Sequence, residues 1–247
     1  MALHRIWQEE FPDQPGLSLV IQGDEAQHAI RVKRLETGNM VQLLDGRGRI
    51  GLARIDRTGK SARHGWELVC TLSDVTLEPK PSRPLHILTA VPKGDRLEQM
   101  IDGLVQAGVS TWSPLECDRA VVEPREGKLA RLQRVVHEAS KQSGRAWMME
   151  LAPATSLDDV LADPGAHGLV IFADGSGLAA APCAHAHAWK SGSGPVSILI
   201  GPEGGWSDRE CSAARAAGVT ATSFGPHVLR IETAAVVAAA VVMNLLM

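Results

Sequence analysis

The chain has 247 residues, enough for one large domain or two modest ones, with 45% hydrophobic and 21% charged residues. These proportions are ordinary for a globular protein, and the net charge of −3 gives no overall sign of nucleic-acid binding. The four cysteines are far apart, which excludes a common zinc motif and a disulfide framework and indicates a reducing cytoplasm.

The charges are unevenly distributed along the chain. The segment 28–63 holds nine basic residues against three acidic ones, whereas 150–247 holds four basic residues against nine acidic ones. A basic segment followed by an acidic one suits an RNA-docking module beside a catalytic module. Chance clustering on a solvated surface is the alternative interpretation.

Residues 1–78 have the pattern of short strands separated by turns, which predicts a small β-barrel. Asp45-Gly46 indicates a hairpin turn, and Asp24–Arg34 is predicted to be a short helix. The predicted strands are Leu17–Ile21, Met40–Leu44, Ile50–Ile55 and Trp66–Leu72.

Residues 79–84 contain three prolines and are predicted to be a linker. Strand and helix patterns alternate after it, which predicts an α/β domain over 85–247 with a mainly parallel sheet covered on both faces. Helices are expected over Leu97–Val105, followed by Gly108 as its C-cap, and over Leu129–Ala139. Since threaded connections are rare, the pattern alone favours an unknotted doubly wound sheet. The expected strands are Leu85–Val91, Val109–Leu115, Leu169–Ala173, Val196–Ile200 and Val219–Ser223.

The final segment, Thr233–Met247, is apolar on nearly all sides. It is shorter than the roughly 20 residues that span a bilayer, so we expect a buried helix and no membrane association. We expect it to pack partly on its own sheet and partly on a second subunit. His185 and His187 have no third ligand nearby in sequence, so no metal site is expected. The chain opens without a signal segment, which also favours the cytoplasm.

A glycine-rich turn follows the apolar strand Val196–Ile200 and consists of Gly201-Pro202-Glu203-Gly204-Gly205-Trp206. Ser207 and Glu210 form a capping-box pattern, so a helix is expected to begin there. The turn lacks the patterns of a P-loop and of a dinucleotide-binding loop. It is either a ligand-binding loop at the carboxyl end of a strand or an ordinary connection.

A second Gly-Pro turn, within Phe224–Ala234, follows the next predicted strand and carries Arg230 and Glu232 at a helix entrance. The two turns are one α/β unit apart. They are therefore expected to lie side by side at one edge of a parallel sheet, where ligands bind.

Together these segments resemble the RsmE family of 16S ribosomal RNA uridine-N3 methyltransferases in the SPOUT superfamily. The family's first signature matches at Leu199–Glu210, and the second matches at Gly225, Leu229, Arg230, Glu232, Thr233 and Ala234. Further similarity at His28–Leu35, Val91–Arg96 and Glu138–Arg145 extends the resemblance over nearly the whole chain.

The resemblance implies a SPOUT-type α/β fold with a C-terminal trefoil knot, preceded by a PUA-like barrel. It implies S-adenosylmethionine as cofactor and a homodimer formed through the C-terminal helix. The implied reaction is methylation of N3 of a uridine in 16S rRNA or the small ribosomal subunit.

The resemblance also assigns site residues. Glu203 either bonds the cofactor or holds the loop. Arg230 and Glu232 are catalytic candidates, Arg230 as a stabiliser of the uracil anion, with a helix cap or an Arg230–Glu232 pair as the alternative. The cofactor is expected to contact Leu199, Ile200, Gly201, Pro202, Glu203, Gly204, Gly205, Phe224, Gly225, Val228, Leu229, Arg230 and Thr233. RNA is expected to contact Arg5, Arg31, Lys33, Arg34, Lys93, Arg96, Arg119, Gln142 and Arg145.

Several positions depart from the family pattern, among them Gly103, Gln106, Ala120, His227 and Ile231, and the proline expected soon after Arg145 is missing from 146–149. They leave open a non-catalytic RNA-binding relative or a methyltransferase with another RNA target. A nucleotide-binding oxidoreductase is a further alternative, although the first α/β strand lacks the glycine fingerprint that this class requires.

Overall fold

The computed structural model describes residues 3–63, 65–120, 126–179 and 192–246. It divides into two compact units, one formed by Met1–Lys80 with Ser140–Met148 and the other by Pro81–Ala139 with Met149–Met247. The sequence pattern did not indicate that 140–148 belongs with the first unit. The domain limits 1–78 and 85–247 stay predictions.

The first unit contains a five-stranded sheet. Its strands are β1 His4–Trp7, β2 Ser18–Gln22, β3 Met40–Leu44, β4 Arg49–Ser61 and β5 Gly65–Leu77. Their order in the sheet is β1-β3-β4-β5-β2. Strand β1 pairs with β3 in parallel, and the other pairings are antiparallel. The hydrophobic core of this unit consists of buried aliphatic residues together with Phe11 and Cys70.

The predicted hairpin at Asp45-Gly46 is confirmed. The Asp45 carboxylate accepts hydrogen bonds from the backbone N–H groups of Arg47 (2.7 Å) and Arg49 (3.0 Å), and Gly46 adopts a φ of +73°. Strands β4 and β5 are longer than predicted, at 13 residues each. Their pairing contains two register shifts, and such bulges increase the twist that lets long strands wrap a small core.

The helix predicted over Asp24–Arg34 is divided, which corrects the sequence-based expectation. Helix α1 covers Gly23–Gln27, and a π-helical turn covers His28–Val32. The turn ends where Arg34 adopts a left-handed conformation (φ 54°) and Leu35 N–H donates back to the Ala29 carbonyl at 3.0 Å. This path packs Leu35 against the core of the sheet. Tertiary packing therefore outweighs the local preference for one continuous α-helix.

The second unit contains a sheet in which every described pairing is parallel, as predicted. Its strands are β6 Leu85–Thr89, β7 Thr111–Glu116, β8 Glu150–Leu151, β9 Thr155–Ser156, β10 Leu169–Ala179, β11 Val196–Ile200 and β12 Thr220–Ser223. Their order is β12-β10-β11-β6-β7-β8, and β9 also pairs with β7. The short strands β8 and β9 were not predicted.

Five α-helices lie in the described part of the chain after residue 95. The apolar face predicted between Leu97 and Val105 is confirmed, because all five of its apolar residues are buried. The helices are α2 Arg96–Gln106, α3 Glu126–Ser143, α4 Leu157–Ala162, α5 Asp208–Ala216 and α6 Ile231–Leu246, with a 3₁₀ turn at Pro164–His167.

Helix α6 returns from the edge strand β12 to pack against α2, β6 and β11. Gly103 permits the close approach of α2 and α6, because a Cβ atom at this position would lie 2.6 Å from Cγ2 of Val236. The trefoil knot and the homodimer stay predictions. No helix among the described residues combines the length and apolar character needed to cross a bilayer. His185 and His187 lie outside the described residues.

Candidate functional site

Strands β10, β11 and β12 run in parallel, and β10 stops pairing with β11 at Ala173, although it continues to Ala179. The segments that follow β11 and β12 therefore share one sheet edge with the part of β10 that begins at Ala173. These segments enclose a cavity of about 330 Å³. The two glycine turns predicted to lie side by side therefore face one space. The cavity is lined by Ala173, Asp174, Gly175, Ile200, Gly201, Pro202, Glu203, Gly205, Trp206, Cys211, Thr222, Ser223, Phe224, Gly225, His227, Val228, Leu229, Ile231 and Ala234.

Most of the residues assigned to the cofactor line this cavity. The exceptions among the described residues are Leu199, Gly204, Arg230 and Thr233. The sequence did not single out Asp174 or Gly175, although a third strand ending at the same edge was an available signal. It also did not assign Thr222, whose hydroxyl is buried and has no hydrogen-bond partner among the described residues.

Trp206 anchors the first turn to the neighbouring strand. Its ring stacks on Phe172 with centroids 4.3 Å apart, and its indole N–H donates to the carbonyl oxygen of Ala173 at 2.8 Å. A Cβ atom at Gly201 would lie 2.8 Å from the Trp206 ring, so the ring requires glycine there. Gly205 has a φ of +70° and donates its N–H to Pro202 (2.9 Å), which closes the turn.

The helix after the first turn begins with the predicted capping box, which is confirmed. Glu210 is fully buried, and its two carboxylate oxygens accept the backbone N–H groups of Ser207 (2.7 Å) and Asp118 (2.8 Å). The second acceptor bond ties α5 to the segment after β7. Nothing in the local sequence indicated this long-range partner.

Asp118 adds an ionic link between the same two segments. Its carboxylate pairs with Arg209 at 2.6 Å and accepts a hydrogen bond from the Ser207 hydroxyl at 2.6 Å. Hydrogen bonds from Arg209 and then Ser207 lower the pKa of Asp118 to about 2. Arg209 also pairs with Asp158 at the start of α4 (2.8 Å).

Arg119 contacts the first turn directly. Its guanidinium donates to the carbonyl oxygens of Gly204 (2.8 Å) and Trp206 (3.1 Å). From the sequence, Arg119 is expected to contact RNA. In the structure its guanidinium instead points toward the glycine turn.

Arg96 lies between carboxylates from the two turns. Its Nη1 atom is 3.7 Å from Oε1 of Glu203 and 3.8 Å from Oε1 of Glu232. Glu232 therefore pairs with Arg96, and the Arg230–Glu232 pair considered from sequence does not form in the described structure. The other oxygen of Glu232 is buried and has no hydrogen-bond partner among the described residues.

Arg230 is exposed at the entrance to α6, and its carbonyl oxygen accepts the Ala234 N–H at 2.8 Å. Among the described residues its side chain forms no ion pair. His227 and Val228 are also exposed on this turn, and Val228 is 97% exposed. The turn thus exposes one arginine and one apolar side chain, and of these two residues Val228 lines the cavity.

Cys211 lines the cavity from α5. Desolvation raises the pKa of its thiol, so the group is protonated at neutral pH and is a poor nucleophile. Groups of three or more His, Cys, Asp or Glu residues that could hold a metal are absent from the described residues.

The basic residues assigned to RNA in the first unit differ in their exposure. Arg31, Lys33 and Arg34 are exposed, whereas Arg5 donates to the side chain of Gln42 (3.2 Å) and to the main-chain carbonyl of Gln142.

Arg145 is half-buried, and burial lowers the pKa of its guanidinium to about 10. Lys93, in the second unit, is exposed.

The departures from the family pattern occupy distinct places. His227 and Ile231 line the cavity, and Ile231 is buried. Gln106 is exposed and donates to Asp102 at 2.6 Å. Ala120 donates its N–H to the Cys117 carbonyl at 3.0 Å and so closes the turn that carries Arg119.

Comparison with known proteins gives two family matches. The model described as "RNA methyltransferase domain" matches residues 78–243, and the one described as "RNA methyltransferase PUA domain" matches residues 21–62. The fold implied by the resemblance, a SPOUT-type sheet after a PUA-like unit, is supported by these matches.

Curated relatives and solved structures agree with the family matches. A probable rRNA-methyltransferase from Porphyromonas gingivalis is 27% identical with a TM-score of 0.75, and the match covers 96% of this chain and 95% of that one. A putative methyltransferase from Legionella pneumophila, solved with the bound cofactor SAM, is 26% identical with a TM-score of 0.79, covering 99% and 98%.

Relatives named ribosomal RNA small subunit methyltransferase E include proteins from Mycobacterium tuberculosis and Synechocystis. The protein from Mycobacterium tuberculosis is 30% identical, with 93% of this chain and 87% of the relative covered. The protein from Synechocystis is 32% identical, with 87% of this chain and 69% of the relative covered. The chain belongs to the ribosomal RNA small subunit methyltransferase E family.

Proposed function

We propose that the protein transfers a methyl group from S-adenosylmethionine to N3 of a uridine in 16S rRNA. The observation that carries the proposal is the cavity between the two glycine turns, in a chain of this family. Membership of this family argues against the alternative function considered from the sequence, a nucleotide-binding oxidoreductase.

The cavity suits S-adenosylmethionine in size and in polar groups. Small-molecule sites have volumes of about 300–1,000 Å³, and this cavity has about 330 Å³. Gly201, Gly205 and Gly225 carry no side chain. Their main-chain groups can therefore approach the adenosine closely. The unpartnered Thr222 hydroxyl is a hydrogen-bonding group that a polar ligand would satisfy. SAM bound to the Legionella relative supports the same ligand here.

S-adenosylmethionine supplies a methyl group on a cationic sulfur, which is electrophilic without metal activation. The protein must hold N3 of the uracil in line with that methyl group and offset the N3 proton. Positioning can supply much of the rate acceleration, and a general base adds about a hundredfold or more.

Arg230 and Glu232 are the residues we assign to this task. Arg230 is exposed and lies between Leu229 and Ile231, which both line the cavity, and we assign its guanidinium to stabilise negative charge on the uracil carbonyl oxygens. Glu232 carries a carboxylate oxygen without a partner among the described residues, so this oxygen is our candidate acceptor for the N3 proton. Arg96 holds the other oxygen of Glu232.

The exposed basic residues Arg31, Lys33, Arg34 and Lys93 are proposed to contact RNA phosphates. We also propose that the protein acts in the cytoplasm as a homodimer formed through α6. The apolar composition of α6 supports the dimer, and the rRNA-methylating family supports the location.

Isothermal titration calorimetry tests the cofactor assignment. We expect micromolar-range binding of S-adenosylmethionine by the wild-type protein and about fivefold to tenfold weaker binding by Thr222→Val, in which a methyl group replaces the hydroxyl. A folded protein that does not bind S-adenosylmethionine would exclude the assignment.

Mass spectrometry of 16S rRNA from a deletion strain tests the substrate assignment, with loss of 3-methyluridine as the expected result. Unchanged 3-methyluridine would rule it out. In vitro, free 16S rRNA and assembled small subunits are compared as substrates. S-adenosylmethionine binding without transfer to either one would favour the non-catalytic relative.

A further inference from the structure

The turn after β7, residues Cys117–Ala120, is joined to the first glycine turn by one side chain. Arg119 donates to the carbonyl oxygens of Gly204 (2.8 Å) and Trp206 (3.1 Å), although 85 positions separate it from Gly204 in sequence. Because one guanidinium bonds two carbonyl groups, it fixes their relative orientation as well as their position.

The neighbours of Arg119 hold its own main chain in place. The Asp118 N–H donates to the buried carboxylate of Glu210 at 2.8 Å, and the Asp118 carboxylate pairs with Arg209. The aliphatic part of Arg119 lies along Gly204, where a Cβ atom would be 3.6 Å from Cδ of Arg119. The guanidinium is therefore presented to the turn from a fixed base.

The first turn needs such a brace because three of its six residues are glycines. Glycine loses more conformational freedom on ordering than any other residue. Trp206 anchors one end of the turn and Ile200 continues from β11 at the other, but Gly204 lies between these anchors. Among the described residues, Arg119 supplies the side-chain hydrogen bond to this middle part.

We propose that Arg119 is a positioning residue for the cofactor turn and not a contact to RNA. This inference rests on the proposed function, since it assigns Arg119 to the S-adenosylmethionine site. A turn that samples its binding-competent form for only a fraction of the time binds with an affinity reduced by that fraction. Loss of Arg119 should therefore weaken cofactor binding without removing any group that lines the cavity.

The test compares Arg119→Ala and Arg119→Lys with the control Arg131→Ala. Arg131 is an exposed arginine of the same unit that pairs with Glu98 and does not line the cavity. Titration calorimetry measures the S-adenosylmethionine affinity. Hydrogen exchange of the peptide covering 201–206, in the absence of ligand, measures the order of the turn.

We expect about tenfold weaker binding for Arg119→Ala, an intermediate loss for Arg119→Lys, and wild-type affinity for Arg131→Ala. Exchange should accelerate in 201–206 of Arg119→Ala but not in α2. In steady-state assays the KM for S-adenosylmethionine should rise, while kcat at saturating cofactor is retained.

Wild-type cofactor affinity in Arg119→Ala, with weakened binding to a 16S rRNA fragment, would overturn the positioning role in favour of an RNA contact. Accelerated exchange throughout the second unit would overturn it in favour of a general stabilising role. A wild-type protein that binds no S-adenosylmethionine would instead refute the proposed function.

Discussion

The contact between α2 and α6 predicts that Gly103→Ala destabilises the protein, although alanine is the better helix former. In a helix without tertiary contact this change stabilises by about 1 kcal/mol. Here the new Cβ would lie 2.6 Å from Cγ2 and 3.4 Å from Cγ1 of Val236. Overpacking of this kind costs about 1–3 kcal/mol. The net expectation is a loss of about 1 kcal/mol, the difference between these two effects.

Urea unfolding of a double-mutant cycle separates the two effects. In the Val236→Ala background the obstructing methyl groups are gone, so Gly103→Ala should stabilise by about 1 kcal/mol. The sign of the effect is therefore expected to reverse between the two backgrounds, with an interaction energy of about 2 kcal/mol. Equal stabilisation by Gly103→Ala in both backgrounds would refute the packing argument.

Three further perturbations probe the first turn and its supports. Glu210→Gln replaces a buried carboxylate that accepts two N–H groups, so it should lower the free energy of unfolding by about 2 kcal/mol in urea titration. A change near zero would contradict a stabilising role for these two hydrogen bonds. The bond to Arg209 holds the folded-state pKa of Asp118 near 2, below its ordinary 3.8, so its stabilisation is present above about pH 4 and lost between pH 4 and 2. The difference in urea midpoint between wild type and Asp118→Asn should therefore shrink as the pH falls through this range, and a constant difference would argue against the ion pair. Trp206→Phe retains an aromatic ring but loses the indole hydrogen bond, so calorimetry should show about fivefold weaker S-adenosylmethionine binding. Undiminished affinity would show that this hydrogen bond does not contribute to cofactor binding.

Local patterns predicted the elements whose signals lie within a few residues. Strand β11 has the predicted limits, because a mostly apolar run ended by Gly-Pro leaves little ambiguity. The capping box at Ser207 is equally local, since both of its bonds join residues three positions apart. By contrast, β8 and β9 have two residues each and exist only through pairing with β7, so no periodicity could indicate them.

The turns that line the candidate site could be predicted from the sequence, but the side-chain contacts that hold these turns in place could not. Glycine, proline and strand ends located both turns. The partners of Arg96 and Arg119 were not accessible from sequence, because a basic residue on a loop suits RNA phosphate, a carboxylate or a main-chain carbonyl equally well. In the folded chain Glu203 and Glu232 both lie beside the guanidinium of Arg96. The carbonyl oxygen of Gly204 accepts a hydrogen bond from the guanidinium of Arg119.

The sheet order has a kinetic consequence for this site. The two glycine turns follow β11 and β12, but β10 lies between these strands, and α6 then runs back to α2. The pocket therefore acquires its second wall only when β12 has paired with β10 on the side opposite β11. Contacts of such large sequence separation form slowly. Recovery of cofactor affinity during refolding should lag behind recovery of helical content, so the ligand itself reports the completion of folding.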